Sequence, residues 1–123
     1  MNWKDKRILI VEDDYLSLRF LKTVLKDSHA DLLCARSGKE AVNMAMENDD
    51  LDLILMDVQL PGMSGNEAAT RIRKFNGDIP IIAQTAHAMS EDRDRSLDAG
   101  CDDYITKPIN ISLLITKINQ HMK

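Results

Sequence analysis

Apolar and polar positions follow two periods along this chain, and each change of period marks an element. The run Arg7-Ile-Leu-Ile-Val-Glu12 is apolar throughout its middle, the pattern of a strand buried on both faces. From Tyr15 to Asp27 the period lengthens. Leu18, Leu21 and Leu25, with Phe20 and Val24 beside them, form a helical stripe. Asp31 to Arg36 reads as a weaker strand. Ser37 and Glu40 spell a capping box for a helix whose apolar face is Ala41, Val42, Ala45 and Met46. Leu51 to Asp57 is a strand, and Leu60 to Gly65 a turn cluster. A second capping box, Ser64 with Glu67, opens the next helix. Ile79 to Thr85 reads as a strand, and Ser90 to Ala99 as a helix closed by Gly100. Asp103 to Thr106 is a short strand, and Asn110 caps a last helix carrying Leu113, Leu114 and Ile118.

Strict strand–helix alternation with two-sided apolar strands predicts an α/β domain. A parallel sheet of five strands is covered by helices on both faces, a doubly wound arrangement. The pattern alone leaves the strand order open; among doubly wound sheets, the order 2-1-3-4-5 fits this strand count. A length of 123 residues suits one domain, residues 1–123.

Composition narrows the class. Hydrophobic residues make up 44% and charged residues 29%. That mix excludes a disordered tail, a collagen-like fibre and a disulfide scaffold. The net charge of −4 argues against direct nucleic acid binding. No apolar run approaches the roughly 20 residues of a membrane span, so a cytoplasmic domain without membrane contact is expected. Cys34 and Cys101 lie far apart and read as small buried thiols in a reducing compartment. His29, His87 and His121 lack metal-ligand spacing and are expected at the surface. The seven methionines are expected mostly to fill the core, and Arg71, Arg73 and Lys74 to form a solvated helix end.

The candidate chemistry sits where the strands end. The first strand runs into Glu12-Asp13-Asp14, the third ends in Asp57, the fourth in Thr85-Ala86, and the fifth leads to Lys107-Pro108. In a parallel sheet these groups share one edge, the edge where doubly wound folds bind ligands. Each is weak evidence alone, because an acidic run is often a solvated turn and a lone Asp a helix cap. Together they bring several carboxylates to one ammonium and one hydroxyl. Grouped carboxylates repel one another unless a cation joins them, and hard oxygen ligands suit Mg²⁺. Glu12, Asp13 and Asp57 sum to −3, which Lys107 and one divalent cation would neutralise.

These stretches resemble the receiver domains of bacterial two-component response regulators. The matching residues are Ile8 to Asp13, Leu55 to Gly65, Ile79 to Ala86 and Ala99 to Pro108. The resemblance implies a flavodoxin-like, three-layer sandwich and a phosphorylation-driven switch. It implies Asp57 as phosphoryl acceptor. Asp13, Asp57 and the Gln59 backbone carbonyl would ligate Mg²⁺, with Glu12 beside them through water and Asp14 without a direct role. Lys107 would pair with the acceptor and then its phosphate, and the Lys107–Pro108 bond would be cis. Thr85 and the Ala86 backbone amide would bind phosphoryl oxygens; Thr85 and Tyr104 would form the switch pair. Gln59 and His87 are expected at the edge of the site. The segments Ala86 to Met89 and Cys101 to Tyr104 look most like receivers fused to hybrid sensor histidine kinases. The expected partner is therefore a sensor histidine kinase or a histidine phosphotransfer domain. With no DNA-binding segment after residue 123, the signal is expected to leave through the face from Ser90 to Met122.

Two other functions share parts of this pattern. An aspartate-based phosphatase would need a second Asp two residues after the nucleophile, where this chain has Gln59. A flavin module would need a Ser, Thr or Gly-rich phosphate loop after the first strand, where Glu12-Asp13-Asp14 would repel phosphate.

Overall fold

The computed structural model describes residues 2–87 and 89–122. Met1 and Ala88 lie outside them, as does Lys123. Strands β1 (Arg7–Val11), β2 (Asp31–Ala35), β3 (Leu53–Asp57), β4 (Ile81–Thr85) and β5 (Asp103–Thr106) alternate with helices α1 (Tyr15–Lys26), α2 (Gly38–Glu47), α3 (Gly65–Arg73), α4 (Ser90–Asp98) and α5 (Ile111–His121). The strands form one parallel sheet in the order β2-β1-β3-β4-β5.

The three central strands are buried almost end to end because both their faces carry apolar side chains. Alternation then splits the core in two. Ile8, Ile10, Leu53, Leu55, Ile82 and Ile105 meet Leu18, Leu21 and Leu25 of α1 and Leu114 and Ile118 of α5. Leu9, Val11, Ile54, Met56, Ile81 and Ala83 meet the small faces of α2 and α3 on the other side. Each such buried aliphatic side chain contributes about 1.5–3 kcal/mol. Helix α4 packs along β5 and buries only Ser96.

The helix starts fall where the capping residues put them. Ser37 accepts from the Glu40 amide, Ser64 from the Glu67 amide, and Asn110 from the Leu113 amide. Glycine is required at position 65, where a Cβ would collide with the Asp57 carbonyl oxygen. The α3 start can therefore lie directly against the end of β3.

Several surface expectations are corrected. Phe20 is 43%, Met46 62% and Leu113 45% exposed, so the buried arcs of α1, α2 and α5 are narrower than their apolar arcs. Met56 and Met122 fill the core, whereas Met46 and Met89 are exposed. His29 and His87 lie at the surface, but His121 is half-buried, with Nε2 3.0 Å from Asp103 Oδ2. Arg73 is not a solvated helix end: it ion-pairs with Asp102 at 2.7 Å and donates to the Gly100 carbonyl at 2.8 Å. Of the two free thiols, Cys101 is buried and pushed up to about 12 by burial, while Cys34 is half-buried.

Candidate functional site

The site is a row across the carboxyl ends of the central strands. Register pairs Val11 with Met56, so the next residues, Glu12 and Asp57, are neighbours; Asp57 itself pairs with Gln84. The Glu12 amide donates to the Ala35 carbonyl at 3.0 Å, extending β1 into the site. Both carboxylates are buried, at 1% and 2% exposure. The loop after β5 is held by the Lys107 amide, which donates to the Thr85 carbonyl at 2.8 Å. Its Lys107–Pro108 bond is cis. Lys107 Nζ lies 3.0 Å from Glu12 Oε2 and 3.5 Å from Asp57 Oδ1.

Asp13 completes an acidic cluster. One carboxylate oxygen from each of Glu12, Asp13 and Asp57 lies within 4.8 Å of the others. Asp14 stands apart and caps α1, accepting from the Ser17 amide and hydroxyl. Burial, and then the neighbouring Glu12, push the Asp57 carboxyl up to about 7, against Lys107 and the Gln59 amide. Burial works against the Lys107 charge too, but its bonds and proximity to Glu12 and Asp57 outweigh this and raise its pKa. For Asp57, burial is the larger cause and the Glu12 charge the second, and a divalent cation among the three carboxylates would relieve that repulsion. The all-oxygen donor set fits Mg²⁺.

Thr85 and Ala86 close the other side. The Gln59 side chain bridges them: its Nε2 donates to Thr85 Oγ1 at 3.3 Å, and its Oε1 accepts from the Ala86 amide at 3.0 Å. The Thr85 hydroxyl oxygen also accepts from the His87 amide at 3.0 Å. Tyr104 is half-buried, with Lys117 Nζ 5.6 Å and Arg93 Cζ 6.0 Å from its ring centroid. Asp103, beside it, accepts from Lys117 at 2.7 Å.

Every residue singled out at a strand end thus reaches one edge. Glu12 is the difference: it pairs directly with Lys107. Two features escaped the sequence reading. One is the Gln59 side chain, whose reach to Thr85 has no local signature. The other is Gln84, which is fully buried and whose side-chain carboxamide finds no hydrogen-bond partner among the described residues. A glutamine inside the apolar run Ile81 to Thr85 was the available signal.

Residues 8–119 match the response regulator receiver domain, and the chain belongs to that family. It is 42% identical over 122 residues to hybrid signal transduction histidine kinase I of Dictyostelium discoideum, covering 93% of this chain but 7% of that protein. It is 38% identical to the polar-differentiation response regulator DivK of Brucella ovis, covering 95% of this chain and 96% of that protein. Among solved structures, it resembles a chain of the co-crystal structure of the Saccharomyces cerevisiae histidine phosphotransfer signaling protein Ypd1 and the receiver domain of its downstream response regulator Ssk1. That match has a TM-score of 0.89 and 36% identity, covering 95% of this chain and 88% of the other. The receiver domain of a Pseudomonas aeruginosa sensor histidine kinase, with magnesium coordinated in the active site cleft, matches with a TM-score of 0.87 at 33% identity. It covers 95% of this chain and 97% of that chain. No described helix is long and apolar enough to cross a membrane.

Proposed function

We propose that residues 1–123 form one phosphoacceptor domain of a two-component phosphorelay. It takes a phosphoryl group from a phosphohistidine onto Asp57. The observation that carries this reading is Asp57 itself: a buried carboxylate between two other carboxylates and the Lys107 ammonium. Asp57 attacks phosphorus, a P–O bond forms, and the P–N bond to the donor imidazole breaks. The departing imidazole keeps the bonding pair and takes a proton from solvent. Asp13, Asp57 and the Gln59 backbone carbonyl would hold Mg²⁺, with Glu12 beside them through water, as suits the magnesium-bound relative. Bound there, the cation supplies charge neutralisation and a Lewis-acid contact to phosphoryl oxygen. Lys107 shifts from Glu12 toward the transferring group, the Ala86 amide releases Gln59, and that amide and the Thr85 hydroxyl donate to its oxygens. Catalysis is positioning plus electrostatic stabilisation.

The partner is a histidine-bearing domain. The Ypd1–Ssk1 complex is one support. The other is an apolar surface beside the site, made by exposed Leu16 and Phe20 of α1 with Ile109. The phosphoryl group draws Thr85 inward and Tyr104 follows, reshaping the surface of α4, β5 and α5. Attack of water on the phosphoryl group held at Asp57 would let the domain promote its own dephosphorylation. Incubation with acetyl phosphate and Mg²⁺ tests the reading by mass. One phosphoryl adduct is expected on the native chain and none on Asp57→Asn or after chelation. Equal labelling of Asp57→Asn would overturn it.

A further inference from the structure

Gln84 lies next to Asp57 in the β3–β4 register and is fully buried, yet neither end of its carboxamide has a hydrogen-bond partner among the described residues. It lines a cavity of about 340 Å³ together with Glu12 and Lys107. Buried polar groups are almost always satisfied, so an orphaned carboxamide at a reacting centre calls for a state in which it is paired. Its neighbours supply that state. Lys107 is held by Glu12 at 3.0 Å, and to serve a phosphoryl group on Asp57 it must loosen that bond. The loosening leaves Glu12 Oε2 without its donor on a side chain at 1% exposure, while Oε1 keeps the Asp14 amide at 3.2 Å.

We infer that Gln84 is a positioning residue for Lys107: its NH₂ donates to Glu12 and its carbonyl accepts from Lys107 when the ammonium turns to the phosphoryl group. The exchange rests on the phosphoacceptor reading of Asp57 and goes beyond it. Gln84 offsets the cost of separating a buried pair and steers the ammonium without touching phosphate. An apolar residue of similar size could do neither.

The test uses the full chain with Mg²⁺. Acetyl phosphate labelling of the native protein is measured first. Without an adduct at Asp57 the phosphoacceptor reading fails, and this inference with it. With the adduct present, Gln84→Leu is expected to melt higher than the native chain, since it removes an unsatisfied group. It is also expected to label about tenfold more slowly at saturating acetyl phosphate, with unchanged Mg²⁺ affinity. Gln84→Asn, a carboxamide on a shorter arm, should recover part of the rate. In the native protein, the Gln84 side-chain NH₂ signals should shift downfield on adding beryllium fluoride with Mg²⁺, as a new hydrogen bond to Glu12 forms. A Gln84→Leu rate within twofold of native would overturn the inference. So would NH₂ signals unmoved by the fluoride.

Discussion

The Gln59 side chain reaches Thr85 and Ala86 at once, donating to Thr85 Oγ1 at 3.3 Å and accepting from the Ala86 amide at 3.0 Å. On the proposed phosphoacceptor reading of Asp57, the Gln59 side chain holds the Ala86 amide that a phosphoryl oxygen would use. The Ala86 bond must break before that amide can donate to a phosphoryl oxygen, whereas Thr85 only accepts from Gln59 and keeps its own proton free. Truncating the side chain removes that competition, and each net hydrogen bond is worth about 1 kcal/mol. Gln59→Ala should gain phosphoryl from acetyl phosphate several-fold faster than the native protein. A time course of adduct mass checks this, and slower labelling would contradict it.

Lys107→Ala should separate stability from metal binding. The substitution leaves Glu12 buried without its cation, a loss of about 3–5 kcal/mol for a fully buried pair. Lys107 is 27% exposed, so solvent screens the pair and about 2 kcal/mol is the better expectation. Urea unfolding without metal measures it. Mg²⁺ affinity should hold or rise, because Lys107 competes with the cation for the same carboxylates. The phosphorylated variant should fail to engage its partner. A large loss of Mg²⁺ affinity would contradict this geometry.

The raised pKa of Asp57 predicts an unusual pH dependence for the metal-free protein. In the unfolded chain an Asp titrates near 3.9, whereas Asp57 in the fold titrates at about 7. Between those values the folded state holds the extra proton, so stability falls as pH rises through that window. Melting temperatures from pH 4.5 to 8 should therefore decline for the native protein and stay flatter for Asp57→Asn. Mg²⁺ should recover most at the alkaline end, where the carboxylate is charged. Parallel curves for the two proteins would contradict the burial of this charge.

Much of this arrangement is legible in the sequence, for physical reasons. Strand interiors lie in apolar runs, and Ser37, Ser64 and Asn110 cap helices at the places their spacing predicts. Parallel strands necessarily bring their carboxyl ends to one edge, so Asp57, Thr85 and Lys107 could be gathered before any coordinate was known. What was not legible depends on side-chain reach. Glu12 and Lys107 are 95 residues apart, and nothing local announces their pairing. Phe20 and Leu113 carry helical periodicity but overhang the sheet, because period fixes a face and not its width. Arg73 looks like a dipole-favouring cation until Asp102 is seen across from it.

Gly65 offers a backbone test of how the acceptor is held. A Cβ there would run into the Asp57 carbonyl oxygen, so α3 or the end of β3 must move. Gly65→Ala should destabilise the fold by more than about 2 kcal/mol, in the range of overpacked cores. It should also slow phosphorylation by displacing Asp57. Calorimetry with the acetyl phosphate assay checks both; a variant as stable and as fast as the native chain would contradict this packing.

Partner docking through α1 can be separated from chemistry at Asp57. Phe20→Asp places a charge on an exposed apolar surface and leaves the core untouched. Labelling by acetyl phosphate should persist, while transfer from a phosphorylated histidine phosphotransfer domain should fall at least about tenfold, as for a lost interface anchor. Unchanged transfer would place the docking surface elsewhere.

The most direct measurement of the central claim locates the phosphoryl group itself. The protein is incubated with Mg²⁺ and a phosphohistidine-bearing phosphotransfer domain, reduced with borohydride to trap any acyl phosphate, digested, and read by peptide mass. The expected result is a single reduced site at Asp57, absent without Mg²⁺ and absent in Asp57→Asn. A trapped site at Glu12, Asp13 or any residue other than Asp57 would contradict the account, as would a phosphoryl group that survives in Asp57→Asn.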